Sequence, residues 1–348
     1  MRRPLRNSND YKLAAVNHDH LDVLPDDLVV FILCKLSSTA SSPSQFVNVL
    51  LTCKRLKRLG LSRLVLAKAG ERVFEMKAAN WSDYAHRFLK RCVNAGNVDA
   101  TYTLGMIQFY CFQNRGSGIS LLASAASKYH APSLYSLAVT QFNGSGSLTS
   151  EKNLKAGVAL CLRAAITGHI GALRELGHCL QDGYGVRQNI AEGRRLLVHA
   201  NVRELALVAK TKFPTSPSTT WHVHRQQNAT CRFREPVCPL LSDYGFTEAV
   251  PEMPAANRFM MEWFESSGRG ALGEGLRLCH GGCGRSETRP LEFRRCSVCG
   301  KVNYCSRGCQ AIDWKVRHKM ECFPVEYLVE QNVGGNIAAI GDENVAIG

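Results

Sequence analysis

At 348 residues the chain is long enough for two or three domains, and its 45% apolar content suits globular structure rather than a mainly disordered chain. No run approaches the ~18 uncharged apolar residues a membrane span needs. The formal charge of +14 invites an acidic partner, but the basic residues are spread out, with only short clusters at Lys54–Arg58, Arg194–Arg195 and Arg294–Arg295. That pattern reads as solvated helix faces and argues against nucleic-acid binding.

Residues 1–21 read as a flexible polar leader. Their apolar patch, KLAAV, is too short for a signal-peptide core, so the expected setting is reducing: nucleus, cytoplasm or both. Fifteen cysteines then need an explanation other than disulfides. Cys34, Cys53, Cys92, Cys111, Cys161 and Cys179 sit in apolar helical patterns, where a free thiol behaves as a small hydrophobe.

Residues 22–66 predict a compact helical unit. Pro25 suits a first helical turn, and Asp26 and Asp27 follow where the helix dipole favours anions. Leu28, Ile32 and Leu36 recur every fourth residue, flanked by Val29 and Leu33. The serine-rich STASSPS is a loop, and Ser42-Pro43-Ser44-Gln45 predicts a capping box. Phe46, Val49, Leu50, Cys53 and Leu56 then form the stripe of a second helix, with Lys54, Arg55, Lys57 and Arg58 as its basic face.

Residues 81–209 repeat. Leu104, Leu137 and Leu176 hold comparable positions, 33 and 39 residues apart, and each precedes a glycine pair expected to mark a turn: Gly116–Gly118, Gly144–Gly146 and Gly183–Gly185. An alanine- and leucine-rich stretch follows each pair. Helix, turn and helix at this period predict an α-solenoid, in which each helix pair buries its apolar face only against its neighbours. Residues 210–278 read as linker and irregular chain, apart from an amphipathic helix over ANRFMMEWFESSG. Trp221–His224 with Cys231 and Cys238 follow no familiar ligand spacing.

The remaining cysteines carry the strongest signal. From Cys279 the order is C-x3-C, twelve residues, C-x2-C, five residues, C-x3-C, eight residues, H-x3-C. These eight soft ligands, Cys279, Cys283, Cys296, Cys299, Cys305, Cys309, His318 and Cys322, are the number two closed tetrahedral zinc sites require. Every ligand has a partner, which points to structural rather than catalytic zinc. H-x3-C spaces its pair by one helical turn, with Trp314 expected on the same helix. Gly282, Gly284, Gly300 and Gly308 stand beside ligands, where the chain must bend. Two metal-bound tetrads also lower the net charge to about +11. A C-terminal helix over PVEYLVEQN and a loose tail complete residues 323–348.

The segment 279–322 resembles a MYND-type zinc finger, with CQAIDW matching that family's Cys-Gln-x3-Trp element and Tyr304 its aromatic. The resemblance implies interleaved ligation: Cys279, Cys283, Cys305 and Cys309 on one zinc, Cys296, Cys299, His318 and Cys322 on the other. The first pair is spaced by three residues instead of the family's two, so His280 competes with Cys283 as a ligand. The resemblance also implies binding of short, often proline-containing peptides through Gln310 and Trp314.

At the other end, LPDDLVVFILCKL and FVNVLLTCKRLKRL resemble an F-box, with a longer serine loop between the helices. This implies docking to the Skp adaptor of a cullin-based ubiquitin ligase through Leu24, Pro25, Leu28 and Ile32. The middle resembles Sel-like repeats, relatives of the tetratricopeptide repeat, through Leu104-Gly105, Leu176-Gly177 and Gly183–Val186. It departs at Ala138, where the second repeat lacks the glycine. The order resembles a plant family of F-box proteins with a MYND-type finger. The expected architecture is mainly α and multidomain: an F-box helical module, an α-solenoid of hairpin repeats and a small two-zinc finger. The expected function is substrate recognition within an SCF-type ligase, with a non-degradative interaction scaffold or transcriptional co-regulator as the alternative. No catalytic role is expected for the chain.

Overall fold

The computed structural model describes residues 23–146, 151–212, 254–266, 276–305 and 307–324. The leader, Trp221–His224, Cys231, Cys238 and all but the first residue of the helix expected over PVEYLVEQN lie outside the described residues. The chain divides into two compact units, Met1–Val73 and Phe74–Gly348.

In the first unit, α1 (Asp26–Thr39) begins directly after Pro25, which stands at its N-cap. Val29 and Leu33 are buried with Phe46, Leu50, Leu59, Val65 and Leu66. Ser37 is fully buried and its Oγ donates to the Cys34 and Val65 carbonyls at 3.1 and 3.3 Å. The expected second helix is two helices: α2 (Pro43–Thr52) and α3 (Lys54–Gly60), followed by α4 (Arg63–Lys68). Cys53 is extended and exposed at the break, and its Sγ accepts from the Leu56 amide at 3.4 Å, so it is a cap rather than part of an apolar stripe. The expected capping box is also absent. Gln45 Oε1 accepts from the Ser41 amide at 2.8 Å, while Ser42 Oγ hydrogen-bonds Ser44 Oγ. The basic residues of α3 reach back across the unit: Arg55 and Arg58 each pair with Asp26 at 2.8 Å, and Arg55 also donates to the Leu24 carbonyl.

In the second unit α5 (Asp83–Ala95) precedes three helix pairs. The first members are α6 (Val98–Met106, continued by a π turn Ile107–Cys111), α8 (Ala131–Asn143) and α10 (Ile170–Asp182). Their partners are α7 (Arg115–Ser127), α9 (Leu154–Ile166) and α11 (Ile190–Lys212). The repeat is written in its caps. Asn97, His130 and His169 each cap a first helix by accepting from the amide three residues on, at 2.8, 3.3 and 3.0 Å. Asn114, Asn153 and Asn189 do the same for the second helices at 3.4, 3.0 and 3.0 Å. Such caps satisfy amides that the helix itself leaves unpaired. Tyr102, Leu122, Leu134, Phe142, Cys161 and Leu176 lie in one continuous core.

The glycine turns need correcting in the first repeat. Gly144 and Gly183 end α8 and α10 at φ 68° and 70°, the left-handed conformation that favours glycine. Gly116 and Gly118 instead lie inside α7. Gly118 is required by packing: a Cβ there would stand 2.6 Å from Phe109 Cβ. At the Gly105 and Gly177 level the second repeat's Ala138 is fully buried without disrupting the stack. Finally, α12 (Ala255–Ser266) returns to the start of the solenoid. Glu262 accepts from the Ala78 amide at 2.9 Å, and the Phe259 and Trp263 rings meet Trp81 and Phe112 at 5.5 Å.

Candidate metal centre and docking surfaces

The finger is organised by very little regular structure. Strands β1 (Arg294–Arg295) and β2 (Asn303–Tyr304) pair antiparallel, and α13 (Arg307–Asp313) runs through a π turn, Trp314–His318, into α14 (Lys319–Glu321). Gly282, Gly284 and Gly300 turn the chain beside the ligands at φ 76°, 76° and 63°. Gly308, expected at a bend, lies within α13. Trp314 and His318 share the π turn, and Cys322 follows immediately after α14 with an extended backbone.

Two tetrads result. Cys279, Cys283, Cys305 and Cys309 form one, and Cys296, Cys299, His318 and Cys322 the other, with ligand atoms inside each group no more than 4.8 Å apart. The sulfurs of Cys283 and Cys305 are 3.5 Å apart, those of Cys305 and Cys309 3.6 Å, and those of Cys296 and Cys322 3.7 Å. His318 Nε2 lies 3.5 Å from Cys299 Sγ. A tetrahedron with zinc–sulfur bonds of ~2.3 Å has edges of just under ~4 Å, so both donor sets fit zinc. Each site is closed by four protein ligands, which assigns zinc a structural role: it replaces the core that so short a segment lacks.

His280 does not join a tetrad. Its Nδ1 lies 2.8 Å from Asp313 Oδ2, which also accepts from Tyr304 Oη at 2.7 Å, while Arg317 reaches Asp313 Oδ1 at 3.0 Å. Burial opposes the charge on Asp313, but these hydrogen bonds outweigh it and hold the carboxyl below its ordinary range. The extra residue in the first cysteine pair therefore places His280 in a polar clasp across the finger. Trp314 is 38% exposed, its ring 5.8 Å from that of His318, and Ile312, Val316 and Met320 are exposed on the same helical segment.

In the first unit the residues anticipated as a docking surface are grouped. Leu28 and Ile32 are 48% and 46% exposed, Pro25 is exposed and Leu24 half-buried. Phe31, which the fourfold spacing passes over, is more exposed than either at 62%. The solenoid thiols are inert by contrast: burial pushes Cys92, Cys111 and Cys179 up to about 12.

The sequence misread the arm between the two halves of the finger's ligand set. Arg289 is 2% exposed with its guanidinium 5.6 Å from the Tyr110 ring. Arg294 stands over Phe142 and Tyr184 at 5.1 and 4.9 Å and pairs with Glu175. The Asn143 side-chain amide donates to the Leu291 carbonyl at 2.5 Å. Of the Arg294–Arg295 cluster, Arg294 is thus an anchor on the helix pairs, while Arg295 is exposed as a solvated face requires. Cation–π contacts of this kind strengthen as they lose water.

The features together define a mainly helical protein with a solenoid and a structural two-zinc finger. Residues 279–322 match the family model of the MYND finger, and residues 72–162 that of the plant tetratrico peptide repeats. F-box protein At1g67340 of Arabidopsis thaliana is 58% identical over 94% of this chain and 87% of its own length. F-box protein At5g50450 of the same plant is 56% identical over 95% of this chain and 91% of its own. The chain belongs to this family of F-box proteins carrying repeats and a MYND finger. A solved Sel1 repeat protein from Oxalobacter formigenes is 20% identical, with a TM-score of 0.31, over 37% of this chain and 98% of its own.

Proposed function

We propose that the chain is the substrate-recognition subunit of an SCF-type ubiquitin ligase, working in the nucleus or cytoplasm. The observation that carries this reading is the exposed apolar ridge of Leu28, Phe31 and Ile32 on α1, in a chain whose relatives are F-box proteins. A helix face of this kind suits insertion into an apolar groove on a Skp-type adaptor. Targets would be held by the finger and repeats, with proline-containing peptides contacted at Gln310 and Trp314. The chain supplies proximity, and its ligase partners supply the chemistry.

Co-expression with a Skp-type adaptor, followed by size-exclusion chromatography, tests the reading. A one-to-one complex should form and be lost in Leu28→Asp, whose exposed site leaves the core intact. A folded, zinc-loaded protein that ignores the adaptor would instead favour a non-degradative scaffold or co-regulator.

A further inference from the structure

The finger's arm does more than anchor it. Between the arm and the helix pairs lies a cavity of about 250 Å³, large enough for one side chain or a small organic molecule but not for an extended peptide. Arg174 of α10 and Arg289 of the arm are 7% and 2% exposed in its walls. Arg285 also lines the cavity, but it faces the sulfurs of Cys283 and Cys305, so its charge already answers that tetrad. Two carboxylates are present, and both are engaged. Glu175 pairs with Arg294. Glu292 accepts from the Thr288 amide and Oγ1 at 2.6 and 2.9 Å while its charge faces Arg285 and Arg289, one carboxylate between two guanidinium groups.

Arg289 Nε is buried with no hydrogen-bond partner among the described residues. A buried, charged donor left open is costly, and an oxygen from a bound anion would relieve that cost. The walls add a flat apolar surface, because Tyr135 and His169 stack with ring centroids 4.5 Å apart. His169 is held neutral: burial, then the charges of Arg289 and His130, push it down to about 4.

We propose that this cavity binds a compact oxyanion, phosphate or carboxylate, presented by a small molecule or by a single side chain, with Arg174 and Arg289 as its donors. The ligand would bridge α10 and the finger's arm, tightening the finger onto the solenoid. Planar, forked guanidinium groups suit such oxyanions.

The test uses the zinc-loaded full chain, with calorimetric titration and thermal melting in inorganic phosphate, N-acetyl-phosphoserine amide or succinate, each against chloride at matched ionic strength. At least one anion should bind and raise the melting temperature. Arg174→Gln should weaken it ~10-fold or more, the range expected for a charged hydrogen bond. Gly171→Val leaves every charge in place but narrows the cavity, since a Cβ there already approaches His169 Cε1 at 3.2 Å and Tyr135 Cζ at 3.5 Å. It should weaken the same anion, and it carries the test if Arg174→Gln fails to fold. Tighter binding of free phosphate or succinate would assign a small-molecule source; tighter binding of the phosphoserine amide would assign a side chain. The proposal is overturned if no anion outperforms chloride, or if a folded variant binds as the parent does.

Discussion

Two glycines two residues apart show how far a residue's role depends on what lies beside it. Gly116 and Gly118 share α7, yet a Cβ at Gly116 meets nothing within 4 Å while one at Gly118 meets Phe109 at 2.6 Å. Gly116→Ala should therefore stabilise the chain by up to about 1 kcal/mol, because alanine costs less order in a helix. Gly118→Ala should destabilise it by about 1–3 kcal/mol through overpacking. Urea melts of the two proteins would separate the signs. Their sequence context gave no means to do so, since both glycines read as turn formers. Metal ligation was legible because zinc demands soft ligands in fixed number. The role of His280 was not, because it depends on where Asp313 arrives from a separate element.

At the level of elements, the solenoid's hairpins were readable from leucine and glycine periodicity, but their caps were not. Asn97 and His130 occupy equivalent places, and the bond each accepts from the amide three residues on is invisible when only apolar positions are aligned. The break at Cys53 was missed for a related reason: an apolar stripe continues across it, while the backbone does not.

The caps also carry a pH dependence. His169 Nδ1 accepts the Ala172 amide, so the cap exists only while that nitrogen is unprotonated. Its folded pKa is depressed from 6.5 to about 4. Between those values the unfolded chain binds a proton that the folded chain refuses, so stability falls as pH drops through that window, by roughly 3 kcal/mol at most. His169→Asn keeps an acceptor at the cap but cannot titrate. Its melting temperature should fall less steeply than the parent's between pH 6.5 and 4, with the acid sensitivity of the zinc ligands common to both.

For the whole chain, the arm of the finger makes zinc a concern of the solenoid too. Arg289 and Arg294 are embedded among solenoid aromatics, and the arm that carries them is tied at both ends by zinc ligands. Chelation should release two zinc ions per chain and also lower the melting temperature of the helix pairs. Adaptor binding through the first unit should persist. Zinc content, near-ultraviolet circular dichroism and the adaptor complex, followed during titration with a chelator, would check all three. An unchanged solenoid transition after full zinc loss would mean that the arm contributes nothing to the helix pairs.

The return of α12 has a consequence in time. Glu262 closes on an amide 184 residues earlier in the chain. At ~5–20 residues per second of synthesis, Trp81 and Phe112 wait on the order of 10–40 seconds for Phe259 and Trp263 to emerge and cover them. Throughout that interval the nascent chain presents an aromatic surface that its own later sequence is destined to hide. During its synthesis the chain is thus itself a candidate for recognition by chaperones.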